Sequence, residues 1–513
     1  MSLALALLMA LLPLAAEATT VEETLVVGIQ STKTLLLRPL DPVERDMLSV
    51  YDLMYEGLME INDDYQPVPC LAESYTHSPN GKTWTFRLKE GLKFSDGSDL
   101  TADDVVATAN WLLAKAKNED SSQGFYVNLK YFISSIEADG DYTVVVRAER
   151  AYYGILYAMT FPIIPAEALE SDNPPGTGAY VCSYFVPGAA LILEPNPYWR
   201  QGVPQVTDIT FRMYSTAAEV ITDYEYNRVD AVFTRAIASA QYKGGSSTLA
   251  LDYRTNQLEC LLMNHSAFPT NRQSVREAIR CIIDVDKIAS SIYNGMVERT
   301  DTPFINGTWM YNGNLTQYFR TDVDKALQLL ADDGWIDVDE DGVLERANDE
   351  GNYVELELVL KVYEEPSDNV RLETANYIAD TLNQYGFKVT VETQSFTSVQ
   401  QALSVGNFEL CLAAYAMDPT PDAGFMLMKG NTGNYSRYRS DAMTDLCTKL
   451  RKQVYQEDYQ QVLWQIQEQF AKDCPFICLF YRSGTVLTRR MYTTVRDVRE
   501  YELLKGIDTF END

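Results

Sequence analysis

The chain has 513 residues, of which 46% are hydrophobic, and carries a formal net charge of -31. That length exceeds one ordinary core and calls for two or three domains, and the apolar content argues against a disordered chain. With no Lys/Arg-rich stripe to neutralise phosphates, the acidic balance argues against nucleic acid and describes a solvated exterior.

The first residues, MSLALALLMALLPLAAEA, form an apolar run ending in Ala16-Glu17-Ala18, the small-x-small pattern of a signal peptide over 1–18. The run is shorter than the roughly 20 apolar residues of a spanning helix. It therefore points to export, to a periplasm or cell surface. The basic n-region is missing, since the first Lys or Arg is Lys33, and no lipobox cysteine follows the cleavage site.

TLVVGIQ (Thr24 to Gln30) alternates and predicts a strand, and Val50 to Ile61 has helical spacing. TWTFRLKEG and YTVVVRAER read as strands, with the turn SDGSD between them. LTADDVVATANWLLAKA places Thr101 as N-cap before two acids and an apolar face, which predicts a helix. From Thr177 the chain becomes a Gly/Pro-punctuated set of strands, followed by TDITFRMYST. The second half alternates: VELELVLKVY, strand; SDNVRLETANYIADTLNQYG, a capped helix ended by Gly386; FKVTVET, strand; TSVQQALSVG, helix; FELCLAAYAMD, strand. That order predicts a sheet with parallel pairs. Pro419 and Pro421 forbid continuation of the last strand, so Asp418 leaves its carboxyl end, where ligands sit in open α/β sheets. No internal repeat or low-complexity linker is present, which predicts domains built from segments that cross over.

Chemistry-bearing motifs are scarce. The two histidines, His77 and His265, lie in no metal or nucleophile motif, and GxSxG, P-loop, HExxH and CxxC patterns are absent. The expectation is a protein that is not an enzyme and uses no cofactor and no metal. In DVDEDGVLERAN, Asp337, Asp339, Asp341 and Gly342 match half of an EF-hand loop, but Asn348 stands where the twelfth-position Glu is required, so a polar turn is expected. Eight cysteines are too sparse for a disulfide framework. Cys474 and Cys478, four apart on an expected strand, would be separated by about 13 Å, beyond a direct bridge. Cys260 and Cys411, both in apolar strands, are a candidate pair.

Four blocks together resemble the family 5 extracellular solute-binding proteins, the oligopeptide- and dipeptide-binding components of ABC importers. They are YEGLMEINDDYQPVPCLAESYTHSPNGKTWTFRLKEGLKFSDGSDLTADDVVAT, GTGAYVCSYFVPGAALILEPNPYWRQGVPQVTDITF, VREAIRCIIDVDKIASSIYNG and ALQLLADDGWIDVDEDGV, in the family's order. The resemblance implies an α/β, periplasmic-binding-protein-like Venus flytrap: two lobes, two crossovers and an inserted domain. Here that places the first lobe at 19–61, 172–258 and 483–513, the insert at 62–171 and the second lobe at 259–482. It implies a monomer that captures a short peptide, or a related solute such as a sugar or metal chelate, and delivers it to permease subunits. Peptide-binding relatives hold the ligand's α-ammonium on an Asp at the end of a second-lobe strand. Asp418 matches most nearly, with Tyr415 where a Trp is usual and Asp422 as the second candidate. Arg371 is either a partner for the ligand's carboxylate or an exposed helix-end cation. Ser31, Thr32, Tyr126, Met417 and Asn434 complete the candidate ligand contacts.

Overall fold

The alternation in TLVVGIQ forms β1 (Thr24–Gln30), with Leu25, Val27 and Ile29 buried. This computed structural model describes residues 24–42, 44–117, 126–365, 369–489, 492–493, 498–507 and 511–512; the expected signal peptide lies outside them. The helix expected over Val50 to Ile61 instead occupies Arg45–Met54 (α1), and Met59–Ile61 is a short strand. Gly57 accounts for the shift: it lies against the backbone of Thr160, where a Cβ would come within 2.8 Å of the carbonyl carbon. Such an approach needs the chain extended and bare.

The segment that follows carries its own four-stranded antiparallel sheet, in the order 72–77, 83–88, 143–148, 133–138, covered by α2 (Ala102–Lys117). Thr101 opens α2 by donating its N–H and hydroxyl to Asp104 Oδ2, at 2.9 and 3.0 Å.

The Gly/Pro-punctuated stretch yields β2 (Tyr180–Val186) and β3 (Ala190–Pro195), then β4 (Asp208–Tyr214), β5 (Ala231–Thr234) and the 16-residue β6 (Thr248–Met263). The alternating half yields β7 (Glu357–Tyr363), α3 (Val370–Asn383), β8 (Lys388–Gln394), α4 (Phe396–Val405) and β9 (Leu410–Ala416). α5 (Gln456–Asp473) and β10 (Phe476–Arg489) follow. These strands form one sheet in the order β8-β7-β9-β6-β10-β5-β1-β4-β3-β2. The parallel pairs expected of the second half are present, β7 running parallel to β8 and to β9; β1 also runs parallel to β4, a pairing the local pattern did not predict.

β6 and β10 belong to both halves of this sheet. The first part of β6, Thr248–Arg254, pairs with Ser483–Arg489, beside β5. Its later part, Leu258–Leu262, pairs with Phe476–Tyr481 and, on the other side, with β9. The register breaks between Arg254 and Leu258, where one half gives way to the other.

All eight cysteines are free. Cys260 lies opposite Ala413 on β9 and Cys478 on β10, while Cys411 lies opposite Leu262, so the candidate bridge from Cys260 to Cys411 is offset by two residues and not made. Cys474 is not on a strand: it ends α5 in the left-handed conformation at φ 48°, ahead of β10.

Candidate functional site

At the carboxyl end of β9 the chain meets the break in β6. The Met417 N–H donates to the Asn256 carbonyl at 2.8 Å. Asn256 in turn donates its N–H to the Glu500 carboxylate and its Nδ2 to the Tyr501 hydroxyl, the latter at 3.0 Å. Glu500 is buried and pairs with Arg235 at 2.8 Å and Arg45 at 3.1 Å. Segment 498–507, the start of α1, the crossover and the end of β9 therefore converge. Asn256 Oδ1 is buried there with no hydrogen-bond partner. Asn256, Glu500, Arg45 and Arg235 are absent from the expected site because their partners lie far away in sequence.

Asp418 is exposed beside this junction, with Met417 half-buried. Its Oδ1 accepts the Thr420 N–H at 2.8 Å, an Asx turn into the proline segment. No cation among the described residues pairs with it.

The other expected contacts face inward or elsewhere. Asp422 is fully engaged: Arg451 Nε at 2.6 Å, the Tyr152 hydroxyl at 2.8 Å and the Gly424 N–H at 2.8 Å all donate to it. Tyr415 is buried, donates its hydroxyl to the Gly433 carbonyl at 2.9 Å and stacks on Tyr435. Asn434, also buried, closes a loop by accepting the Tyr438 N–H at 3.1 Å and donating to the Tyr438 carbonyl at 2.8 Å. Tyr126 is half-buried ahead of the 3-10 turn at Val127–Tyr131. Burial raises its phenol pKa, and the charge of Asp52 on α1 adds to the effect.

Ser31 is buried and donates to the Glu44 carboxylate at 2.7 Å. The N–H groups of Thr32, Lys33 and Thr34 converge on the same carboxylate at 3.2, 2.8 and 3.0 Å. Burial works to raise the Glu44 pKa, but these hydrogen bonds outweigh it and hold the group below its ordinary value. The loop after β1 thus cages an anion of its own chain, leaving only the Thr32 side of the pair exposed.

Arg371 belongs to a separate, buried cluster and is not an exposed helix-end cation. Its guanidinium grips Glu259 at 2.5 and 2.7 Å and reaches Glu365 at 3.2 Å. Arg482 bridges the same two acids, each at 2.8 Å. With two arginines and two glutamates the cluster is balanced, which a dry interior requires.

In the acidic turn, oxygens of Asp337, Asp339, Asp341 and Glu345 lie within 4.8 Å of one another. Turn N–H groups already occupy each: Gly342 donates to Asp337, Asp341 to Asp339, Val343 to Asp341 and Val338 to Glu345. Asn348, at the twelfth position, accepts from the N–H groups of Glu350 and Asn352. Calorimetry with calcium is therefore expected to detect no micromolar site. A micromolar transition abolished in Asp339→Ala would contradict this.

One mixed sheet whose two halves share a pair of continuous strands is the periplasmic-binding-protein fold. The family model for bacterial extracellular solute-binding proteins, family 5 Middle, matches residues 66–437, and the chain belongs to that family. It is 24% identical over 463 residues to the oligopeptide-binding protein AppA of Bacillus subtilis, covering 84% of this chain and 81% of that one. It is 25% identical over 328 residues to the nickel-binding periplasmic protein of Escherichia coli, covering 58% and 59%. The crystal structure of NikA from Brucella suis in complex with Fe(III)-EDTA superposes with a TM-score of 0.79 at 17% identity, over 96% of this chain and 100% of that one. No helix among the described residues is long and apolar enough to cross a membrane.

Proposed function

We propose that this chain is the extracytoplasmic binding protein of an ABC importer, capturing short peptides between two closing lobes and handing them to membrane permease subunits without chemical change. The lobes are 19–61 with 172–258 and 483–513, and 259–482, with 62–171 as the insert. The observation that carries the reading is Asp418: an exposed carboxylate without a cationic partner, at the end of β9 and beside the crossover. A ligand ammonium would complete it with a charge-assisted hydrogen bond, roughly twice as strong as a neutral one. Peptides of varied sequence share an ammonium and a backbone, so a site of this kind suits a general peptide binder, as the name of the AppA relative suggests.

The nickel-named relatives favour a second reading, a metal chelate on the same fold. Among the described residues the one group of side chains placed to hold a metal is the acidic turn, and neither His77 nor His265 belongs to it. Peptide is therefore the stronger reading.

Small-angle scattering tests the closure. A mixture of synthetic tri- to pentapeptides is expected to reduce the radius of gyration of protein freed of ligand. An unchanged radius at demonstrated saturation would sink the flytrap. Peptides recovered intact separate a carrier from a peptidase.

A further inference from the structure

Asp422 is closed to a ligand because it holds a seam between two distant stretches of chain. The Tyr152 hydroxyl donates to Oδ2 at 2.8 Å, and Arg451 donates to the same oxygen through Nε at 2.6 Å and to Oδ1 through Nη2 at 3.2 Å. Around this pair, Tyr459 donates to the Pro421 carbonyl at 3.0 Å and lies 3.2 Å from the Tyr152 hydroxyl. The Tyr153 N–H donates to the Gln453 carbonyl at 2.7 Å, and the Trp309 indole N–H reaches the Tyr65 carbonyl at 3.1 Å. Gly154 allows the two sides to meet, since a Cβ there would stand 2.8 Å from Thr420 Cγ2.

The bonds from Tyr152, Tyr153 and Trp309 each join the insert, 62–171, to the second lobe, 259–482. The insert is also tied to the first lobe: the Met59 N–H donates to the Met159 carbonyl at 3.1 Å, and the Ile163 N–H to that of Glu56 at 3.0 Å. The insert is thus bonded to both lobes, and in the latch proposed next it moves with the first and meets the second across the seam.

Resting on the two-lobe reading above, we propose that Tyr152 and Asp422 form a latch that bonds the lobes together through the insert and keeps a fraction of the ligand-free molecules closed, a fraction that solute then completes. The chemistry suits a clasp that can be released. A neutral phenol donating to a carboxylate is a charge-assisted bond, strong enough to move an open–closed equilibrium by roughly tenfold. When Tyr152 departs, Asp422 keeps Arg451 and the Gly424 N–H, so opening strands no buried charge. The freed hydroxyl of Tyr152 finds water.

Tyr152→Phe removes one oxygen and keeps the ring. In protein stripped of ligand by unfolding and refolding, the Tyr153 amide is expected to lose about tenfold in hydrogen-exchange protection, because its bond to Gln453 crosses the seam. The radius of gyration should rise, with protection in β6 and β10 unchanged. No change in either readout would identify the seam as a fixed interface and overturn the latch. Lost protection without expansion would reveal local loosening only and overturn it equally. Should Tyr152→Phe fail to fold, Asp422→Asn is read in the same way. None of these readouts uses a solute, so an intact latch in a protein that ignores peptides would sink the proposed ligand and leave the latch standing.

Discussion

Asp418→Asn is expected to fold as the native chain does and to lose at least tenfold in affinity for free-amine peptides. Asp418 is exposed without ligand, but lobes closed over a peptide would bury the pair, and truncating one member of a buried charge pair costs about 2–5 kcal/mol, the lower end of which already exceeds tenfold. The fold should survive because, among the described residues, Asp418 takes part in one hydrogen bond, from the Thr420 N–H, which an Asn carbonyl accepts equally well. If Asp418 served only that turn, binding would be unchanged. Free-amine and N-acetylated forms of one peptide, titrated against both proteins, separate the cases. The native protein should discriminate strongly against the acetylated form, and the variant should largely lose that discrimination. Equal binding of both forms to the native protein would remove the ammonium site, and the peptide assignment would weaken with it.

Arg371→Met should behave in the opposite way, losing stability and retaining ligand affinity. Removing Arg371 leaves Glu259 and Glu365 facing Arg482 alone, an unbalanced charge in a nearly dry site. Breaking a buried pair in this manner costs about 3–5 kcal/mol, which urea denaturation would register as a lower midpoint. Burial raises the Glu365 pKa, but Arg371 and Arg482 outweigh it and hold the group below its ordinary value. Its contribution to stability is therefore complete above the ordinary glutamate range and is lost as pH falls through the depressed value. If Arg371→Met kept its stability and lost affinity, Arg371 would be the ligand's carboxylate partner after all. Replacing Glu259 by Gln in the same chain should restore part of the loss.

The two variants also mark what could be read from the sequence. Local periodicity was enough for β1, for α2 and for the run from β7 to β9 with its parallel pairs, because those elements bury faces whose spacing is written in adjacent residues. α1 was displaced because a close approach of Gly57 to Thr160, a contact 103 residues distant, outweighed an apolar spacing that suited a longer helix. The site divides along the same line. Asp418 stood out because two prolines and a strand end are local signals. Asp422 and Arg371 gave no sign of their commitments, since Tyr152 lies 270 residues from the first and Glu259 lies 112 from the second. Glu500 and Asn256, 244 residues apart, offered no local pattern at all.

β10 lies in the middle of the sheet, between β6 and β5, although it is the last long strand of the chain. A polypeptide emerging N-terminus first must therefore wait for almost its full length before either half of the sheet closes. Until then β6 and β5 present open edges, the surfaces on which strands of neighbouring molecules add. Neither half can be cut out as a self-sufficient fragment, and a stop codon before Phe476 would leave two incomplete sheets in place of one shortened protein. The strands that join the two halves thus also postpone completion of the sheet until Phe476–Arg489 has been made.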